Sequence, residues 1–137
     1  MEDTLKVLEE KRKSVYRKFE ELGDFRRGTI SVNYRKCGKR NCTCTKPGHP
    51  GHGPQYLWNT TIKGKSYAKN LRLGPELQKY AAETANYRRF IELCHELVEL
   101  NEKVCDLRPL PVIEGRDEQE EIKKKLEQHF RKRLKKR

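Results

Sequence analysis

The segment from Cys37 to Pro54 reads CGKRNCTCTKPGHPGHGP and holds three of the five cysteines and two of the four histidines of this 137-residue chain. Its pattern is Cys-x4-Cys-x-Cys-x4-His-x2-His. Three thiolates and one imidazole within 16 residues are enough to close a tetrahedral zinc shell. Because the segment has no large apolar side chains to hold its shape, we expect a bound metal ion to order it.

The predicted ligands are Cys37, Cys42 and Cys44, and the spacing leaves both His49 and His52 open as the fourth. A shell closed by four side chains has no open position for a substrate, so the predicted zinc is structural. A disulfide from Cys37 to Cys42 or Cys44 is one alternative, but the basic N-terminus lacks an apolar signal stretch, and we expect a reducing compartment. An iron–sulfur cluster is a weaker alternative, since it normally takes four cysteines.

Basic residues concentrate around this segment. The chain has a net charge of +12, and residues 25–75 carry eleven basic and no acidic side chains, whereas both flanking segments use acid freely. We interpret the acid-free stretch as a surface that a polyanion approaches, although a basic face that only aids solubility is an alternative. The predicted nucleic-acid-binding residues are Arg26, Arg27, Arg35, Lys36, Lys39, Arg40, Lys46, Lys63, Lys65, Lys69 and Arg72.

Alternating polar and apolar residues predict strands on both sides of the cysteine segment. Residues 28–36 and 55–62 alternate in this way, and residues 66–73 can return as a third strand after the turn at Lys63-Gly64-Lys65. The prediction is a small antiparallel meander in which the cysteine segment joins the first two strands.

Two helices are predicted to flank this sheet. Residues 3–22 carry apolar residues three to four positions apart, in a seam interrupted only by Arg12. Gly74-Pro75-Glu76 opens a second helix that runs to about Cys105, with two adjacent apolar stripes wide enough to contact both the sheet and the first helix, or a second subunit. The predicted class is therefore α+β, with the long helix packed against the first.

The domain prediction is one α+β domain over residues 1–107 with a zinc loop at 37–54, followed by a linker over 108–116. Residues 117–137 are predicted to be a basic tail, helical or disordered, with nine basic residues from Lys123 onward and Glu127 as their single acidic neighbour. No apolar run approaches the roughly 18 residues of a membrane span, and we expect a cytoplasmic protein.

Four aromatic residues alternate with the cations: Tyr34, Tyr56, Trp58 and Tyr67. Such rings stack on the bases of single-stranded nucleic acid, or they pack beneath a helix. We favour packing for Tyr56 and Trp58, because the chain has few other large core residues. Cys94 and Cys105 lie on helix stripes and are predicted to be small core residues.

These residues also carry a resemblance to a known family. The motifs are Arg27-Gly28-Thr29, Cys37-Gly38-Lys39, Asn41-Cys42-Thr43-Cys44, His52-Gly53-Pro54 and Tyr87-Arg88-Arg89-Phe90. Over about residues 24–106 the chain resembles a family of small, mostly uncharacterised prokaryotic proteins, described as a domain of unknown function and often met near transposase genes. The resemblance implies a zinc-finger-like element, favours His52 over His49 as the fourth ligand, and implies a mobile-element setting.

Taken together, the residues predict a zinc-stabilised accessory protein that binds DNA or RNA, within a larger nucleoprotein machine. The alternative is a protein-interaction adaptor that acts through its helical hairpin, as a homodimer or with another protein. A small metal-dependent enzyme is the third hypothesis. We expect no enzymatic activity, because the basic segment offers neither paired carboxylates nor a serine, histidine and acid set.

Overall fold

The computed structural model describes residues 2–135 and has the expected α+β architecture. It consists of α1 (Glu2–Glu21), β1 (Thr29–Arg35), β2 (His52–Ile62), β3 (Lys65–Leu71), α2 (Pro75–Leu107) and α3 (Arg116–Lys135). The described residues up to Cys105 form one compact unit, and those from Asp106 onward form another. No helix within the described residues is long and apolar enough to cross a membrane.

The three strands form an antiparallel meander with β2 in the middle. Trp58 of β2 lies opposite Ile30 of β1 and Lys69 of β3. The second strand begins at His52, three residues earlier than its alternation predicts. Its extra residues pair with the end of β1, where Arg35 lies opposite His52, so backbone pairing overrides the low strand propensity of the glycine and proline there.

Helix α2 packs against two different elements along its length. Near its start, the ring of Tyr80 meets Trp58 edge-on, with ring centroids 5.7 Å apart, so Trp58 packs beneath the helix as predicted. Further along, Phe90 meets Phe19 of α1 edge-on at 5.6 Å, and Leu93 is fully buried. Val98, an apolar residue of α2, is 53% exposed, so the apolar surface of the helix is only partly covered.

The chain between α1 and β1 is fastened to α2 through Arg26. Its backbone N–H donates to the carbonyl oxygen of Glu83, and its side-chain Nε donates to the Glu83 carboxylate at 3.0 Å. The guanidinium also lies over the ring of Tyr80, 4.2 Å from the centroid. Glu83 is buried and also accepts from Lys79, so a carboxylate on the sheet side of the helix is fully engaged.

The hydrogen bond from Lys79, together with that from Arg26, lowers the pKa of Glu83 against the opposing effect of burial. A carboxyl whose folded pKa lies below its unfolded value stabilises the fold above the unfolded pKa, and this stability is lost as pH falls through the folded pKa. We therefore expect Glu83→Gln to lower the free energy of unfolding by about 2 kcal/mol at pH 7 and by much less at about pH 3. Denaturant unfolding at both pH values measures this.

The matched control is Glu92→Gln. Glu92 pairs with Arg89 at 3.3 Å on the surface, where its side chain is 68% exposed, so we expect a change within about 0.5 kcal/mol at either pH. A Glu83→Gln deficit of the same size at both pH values would contradict the electrostatic explanation.

The second unit, which begins at Asp106, contains α3. The side chain of Gln119 donates to the carbonyl oxygen of Ile113, and the backbone N–H of Gln119 donates to the carbonyl oxygen of Gly115. These two hydrogen bonds fix the start of the helix. The tail is therefore helical over Arg116–Lys135. Four apolar side chains spaced by four residues are exposed along it: Ile122, Leu126, Phe130 and Leu134.

Candidate metal centre and basic surface

The strand pairing of β1 and β2 creates the candidate metal centre. Arg35, at the end of β1, lies opposite His52, at the start of β2. Cys37 lies two residues after Arg35. The intervening chain forms a short 3-10 turn, Thr43–Thr45, that carries Cys44 and begins after Cys42. The sheet therefore brings the two ends of the cysteine segment together, and the turn lies between them.

Four ligand atoms converge at this point. The Sγ atoms of Cys37 and Cys44 are 3.5 Å apart, and the Sγ of Cys42 lies 3.1 Å from Nε2 of His52. All four atoms lie within 4.8 Å of one another. Cys44 is completely buried, whereas His52 is exposed, so the cluster has an inner and an outer side.

These four residues could hold a metal ion, and the spacing of two of their sulfur atoms is close to that of a tetrahedral shell. With Zn–S bonds of about 2.3 Å, the sulfur atoms of such a shell lie about 3.8 Å apart. The 3.5 Å between Cys37 and Cys44 is close to that edge and far from the roughly 2.05 Å of a disulfide bond. All five cysteines of the chain are free thiols.

The thiols of Cys42 and Cys44 have pKa values shifted in opposite directions. The backbone N–H of Cys44, followed by the side chains of Cys44 and Cys37, lowers the pKa of Cys42. The backbone N–H of Cys37 acts to lower the pKa of Cys44, but burial and the neighbouring thiols together raise it. Three sulfur atoms this close cannot all carry negative charge without a counter-charge, and a bound divalent cation supplies one.

His52 is the histidine of this cluster, and His49 is not. The Nδ1 atom of His49 accepts a hydrogen bond from the backbone N–H of Gly51 at 2.9 Å, which holds the ring within its own turn. Spacing along the sequence alone does not decide which of the two histidines is the fourth ligand. The register of β1 and β2 favours His52, in agreement with the resemblance.

Two glycines allow His52 to reach the cluster. Gly51 has φ of 109°, and a Cβ there would lie 2.8 Å from the backbone carbon of Arg35. Gly53 has φ of 138°, and a Cβ there would lie 2.8 Å from the carbonyl oxygen of Asn33. Both positions combine positive φ with close approach to β1, so only glycine fits without backbone movement.

The two remaining cysteines lie outside the cluster. Cys94 is half-buried on α2, in line with its prediction as a core residue. The same prediction was wrong for Cys105, which is exposed: it lies near the end of α2, where the described chain leaves that face uncovered.

The eleven cations predicted for nucleic-acid binding are placed in three regions. The first region is the cysteine segment and the two residues before it, with Arg35, Lys36, Lys39, Arg40 and Lys46. The second is the β2–β3 hairpin and the residue after it, with Lys63, Lys65, Lys69 and Arg72, and the third is the chain before β1, with Arg26 and Arg27. Ten of the eleven are exposed.

Two of these cations are engaged with acidic groups of the protein. Arg26 is half-buried against Glu83, and Lys69 lies 3.9 Å from the Glu76 carboxylate. The other nine form no ion pair with an acidic side chain among the described residues. The structural role of Arg26 was not predicted from the sequence. The local sign of it is the i, i+4 spacing of Lys79 and Glu83, but this spacing is equally typical of an ordinary ion pair on a helix surface.

Comparison with known protein families gives one match. A family model described as a domain of unknown function (DUF6788) matches residues 5–80, which is more than half of the chain. The match begins in α1 and ends early in α2, so it starts and stops earlier than the resemblance at residues 24–106. It includes the whole sheet and all four residues of the cluster. Comparison with curated proteins and with solved structures gives no match.

Proposed function

This chain belongs to the DUF6788 family, and we propose that it is a zinc-stabilised accessory protein that binds nucleic acid. The observation that carries the proposal is the position of the four-residue metal cluster inside a basic segment. Arg35, Lys36, Lys39, Arg40 and Lys46 lie next to or between the residues of the cluster, and all five are exposed.

Zinc is the ion that suits this donor set. Three thiolates with one imidazole form a common structural zinc shell, whereas hard cations such as Mg²⁺ and Ca²⁺ take oxygen ligands. When bound, the ion would hold Cys37, Cys42 and Cys44 of the loop against His52 of the sheet. The proposal assigns it no catalytic step, since four protein ligands leave no open position.

Phosphate groups are the ligand that the surface chemistry favours. Nine exposed cations without acidic partners among the described residues form a surface that repels other cations and attracts polyanions. Each cation that neutralises a phosphate releases condensed counterions, so binding would weaken steeply with salt. The basic half of α3 adds to the same attraction.

The test is a salt-titrated binding panel of double-stranded DNA, single-stranded DNA and structured RNA, with the zinc content of the protein measured in parallel. We expect at least one of the three to bind, with a log–log salt slope of about −4 or steeper. Salt-independent binding, or no binding at 50 mM salt by zinc-loaded protein, would contradict the proposal. The mobile-element setting implied by the resemblance makes a larger nucleoprotein complex the expected context.

A second candidate function is a protein-interaction adaptor, for which the predicted surface is the helical hairpin of α1 and α2; α3 offers a further apolar stripe. Its exposed apolar side chains include Leu126 and Phe130, about half of each of which is accessible. Such a stripe suits a helical partner, including a second copy of this chain. This alternative predicts salt-tolerant association, which light scattering at low and high salt separates from the counterion-dependent binding proposed above.

A further inference from the structure

The two faces of the sheet differ in what covers them. Trp58 contacts Tyr80 of α2, and Leu71 is buried, so α2 covers the middle of their face, whereas Val32 and Tyr67 on the same face are exposed. None of the ten alternate residues on the opposite face is buried. We call this the open face, and it consists of Thr29, Ser31, Asn33, Gln55, Leu57, Asn59, Thr61, Ser66, Ala68 and Asn70.

These ten residues include no charged side chain, and Arg35, the last residue of β1 and the next alternate position after Asn33, is the first charged one. In the chain as a whole, 38% of residues are charged, and exposed positions normally take more than their share of charge. Eight of the ten residues are instead serine, threonine, asparagine or glutamine, with Leu57 and Ala68 between them. A surface of short, uncharged donors and acceptors makes hydrogen bonds without placing a charge against its ligand.

Part of this hydrogen-bonding capacity is used inside the face and part is free. Thr29 donates to the Asn59 amide oxygen at 3.2 Å, and Asn33 donates to Ser31 at 3.3 Å. The side chains of Gln55 and Asn70 have no hydrogen-bond partner among the described residues, and both are exposed. The amide groups of Asn and Gln are the side chains that pair with both edge atoms of adenine in the major groove.

Cations stand where the open face ends. Arg35, at the end of β1, follows Asn33 by two positions. Arg27 lies two residues before Thr29, Lys63 two residues after Thr61, and Arg72 two residues after Asn70. All three cations are exposed. The uncharged region is thus bounded at both ends of the sheet by positive charge, which is the arrangement expected for bases in the middle and phosphates on either side.

The dimensions of the sheet agree with one groove in particular. The neighbouring strands β2 and β3, which carry Gln55 and Asn70, lie about 4.8 Å apart, and the major groove of B-form DNA, about 12 Å wide, admits a two-stranded ribbon. Strand segments of five to seven residues extend for about 13 to 20 Å, the length of roughly four to six base pairs. The major groove of A-form RNA is too deep and narrow to be read in this way.

We propose that the open face enters the major groove of double-stranded DNA and reads base edges there, with Gln55 and Asn70 as the principal reading side chains. The inference rests on the proposed nucleic-acid binding and specifies its ligand. Arg27, Arg35, Lys63 and Arg72 contact the phosphates on either side, and the metal-bound segment extends the phosphate contact beyond one end of the sheet.

The experiment selects binding sites from a random double-stranded DNA pool with the full, zinc-loaded chain. We expect enrichment of a defined motif of about four to six base pairs. The double variant Gln55→Ala/Asn70→Ala should lose about ten-fold or more in preference for that motif over random DNA. The matched control, Gln78→Ala/Gln128→Ala, removes two exposed amides elsewhere and should keep the preference.

The outcomes separate the two proposals. If the wild-type chain binds double-stranded DNA with a steep salt slope but enriches no motif, or if the Gln55→Ala/Asn70→Ala variant keeps the motif, groove reading is wrong and nucleic-acid binding stands. Binding to RNA or single-stranded DNA alone leads to the same conclusion. If the chain binds no nucleic acid, both proposals fail. Circular dichroism and zinc content of the variants establish that they remain folded.

Discussion

Replacing Cys44 with serine is expected to abolish stoichiometric zinc binding and to disorder residues 37–52 while the helices stay folded. Cys44 is the completely buried member of the cluster, and its loop has no large apolar side chains that would order it otherwise. Structural zinc in finger peptides contributes about 10–16 kcal/mol of apparent binding free energy, and that free energy is folding free energy. Elemental analysis should show a fall from one zinc per chain to nearly none, and hydrogen exchange should show loss of protection in the loop.

Matched variants make this test specific to the cluster. His52→Ala should lose zinc as Cys44→Ser does, whereas His49→Ala and Cys105→Ser should keep it, because neither residue contributes a ligand atom. Chelation of the wild-type protein should reproduce the loop disorder. Full zinc occupancy in Cys44→Ser or His52→Ala would remove that residue from the shell.

The second large effect is expected from neutralising the cations around the cluster. The variant with Arg35, Lys36, Lys39 and Arg40 all changed to glutamine should bind nucleic acid about a hundred-fold or more weakly at moderate salt. Its log–log salt slope should be shallower by about three to four, because each phosphate contact contributes about 0.9. Binding isotherms at four or five salt concentrations measure both quantities.

The control for this variant removes the same charge from α1. Changing Lys6, Lys13, Arg17 and Lys18 to glutamine lowers the net charge equally, at exposed positions outside the acid-free segment. We expect only a small loss of affinity and an almost unchanged salt slope. Equal losses in the two variants would show that total charge, rather than the surface around the metal cluster, determines binding.

The residues of the open face are in the sequence, but no single segment of it reveals the face. Its members alternate with the residues of the other face in three separate segments, so each segment contributes only three or four uncharged residues to it. Only the register of β1, β2 and β3 places Asn33, Gln55 and Asn70 on one surface. The signal was the lack of charge at alternate positions in a highly charged chain.

Arg26 shows the opposite limitation. Composition and position grouped it with the other cations of residues 25–75, and nothing local distinguished it from Arg27. Its partners Glu83 and Tyr80 lie more than fifty residues away and meet it only because α2 packs across the sheet. Its predicted part in nucleic-acid binding stays a prediction, and the proposal relies on the exposed cations instead.

Local pattern by itself determined the strands, the helices and three of the four residues of the cluster, because alternation, apolar spacing and ligand chemistry are properties of neighbouring residues. Tertiary structure decided that His52 rather than His49 joins the cluster, and it packed Trp58 beneath α2. It also left Val98 and Cys105 exposed and paired Arg26 with Glu83. The physical reason is that each of these outcomes depends on strand register or helix packing between distant segments. Spacing along the chain carries no information about which of two nearby histidines such packing will bring to the sulfur atoms.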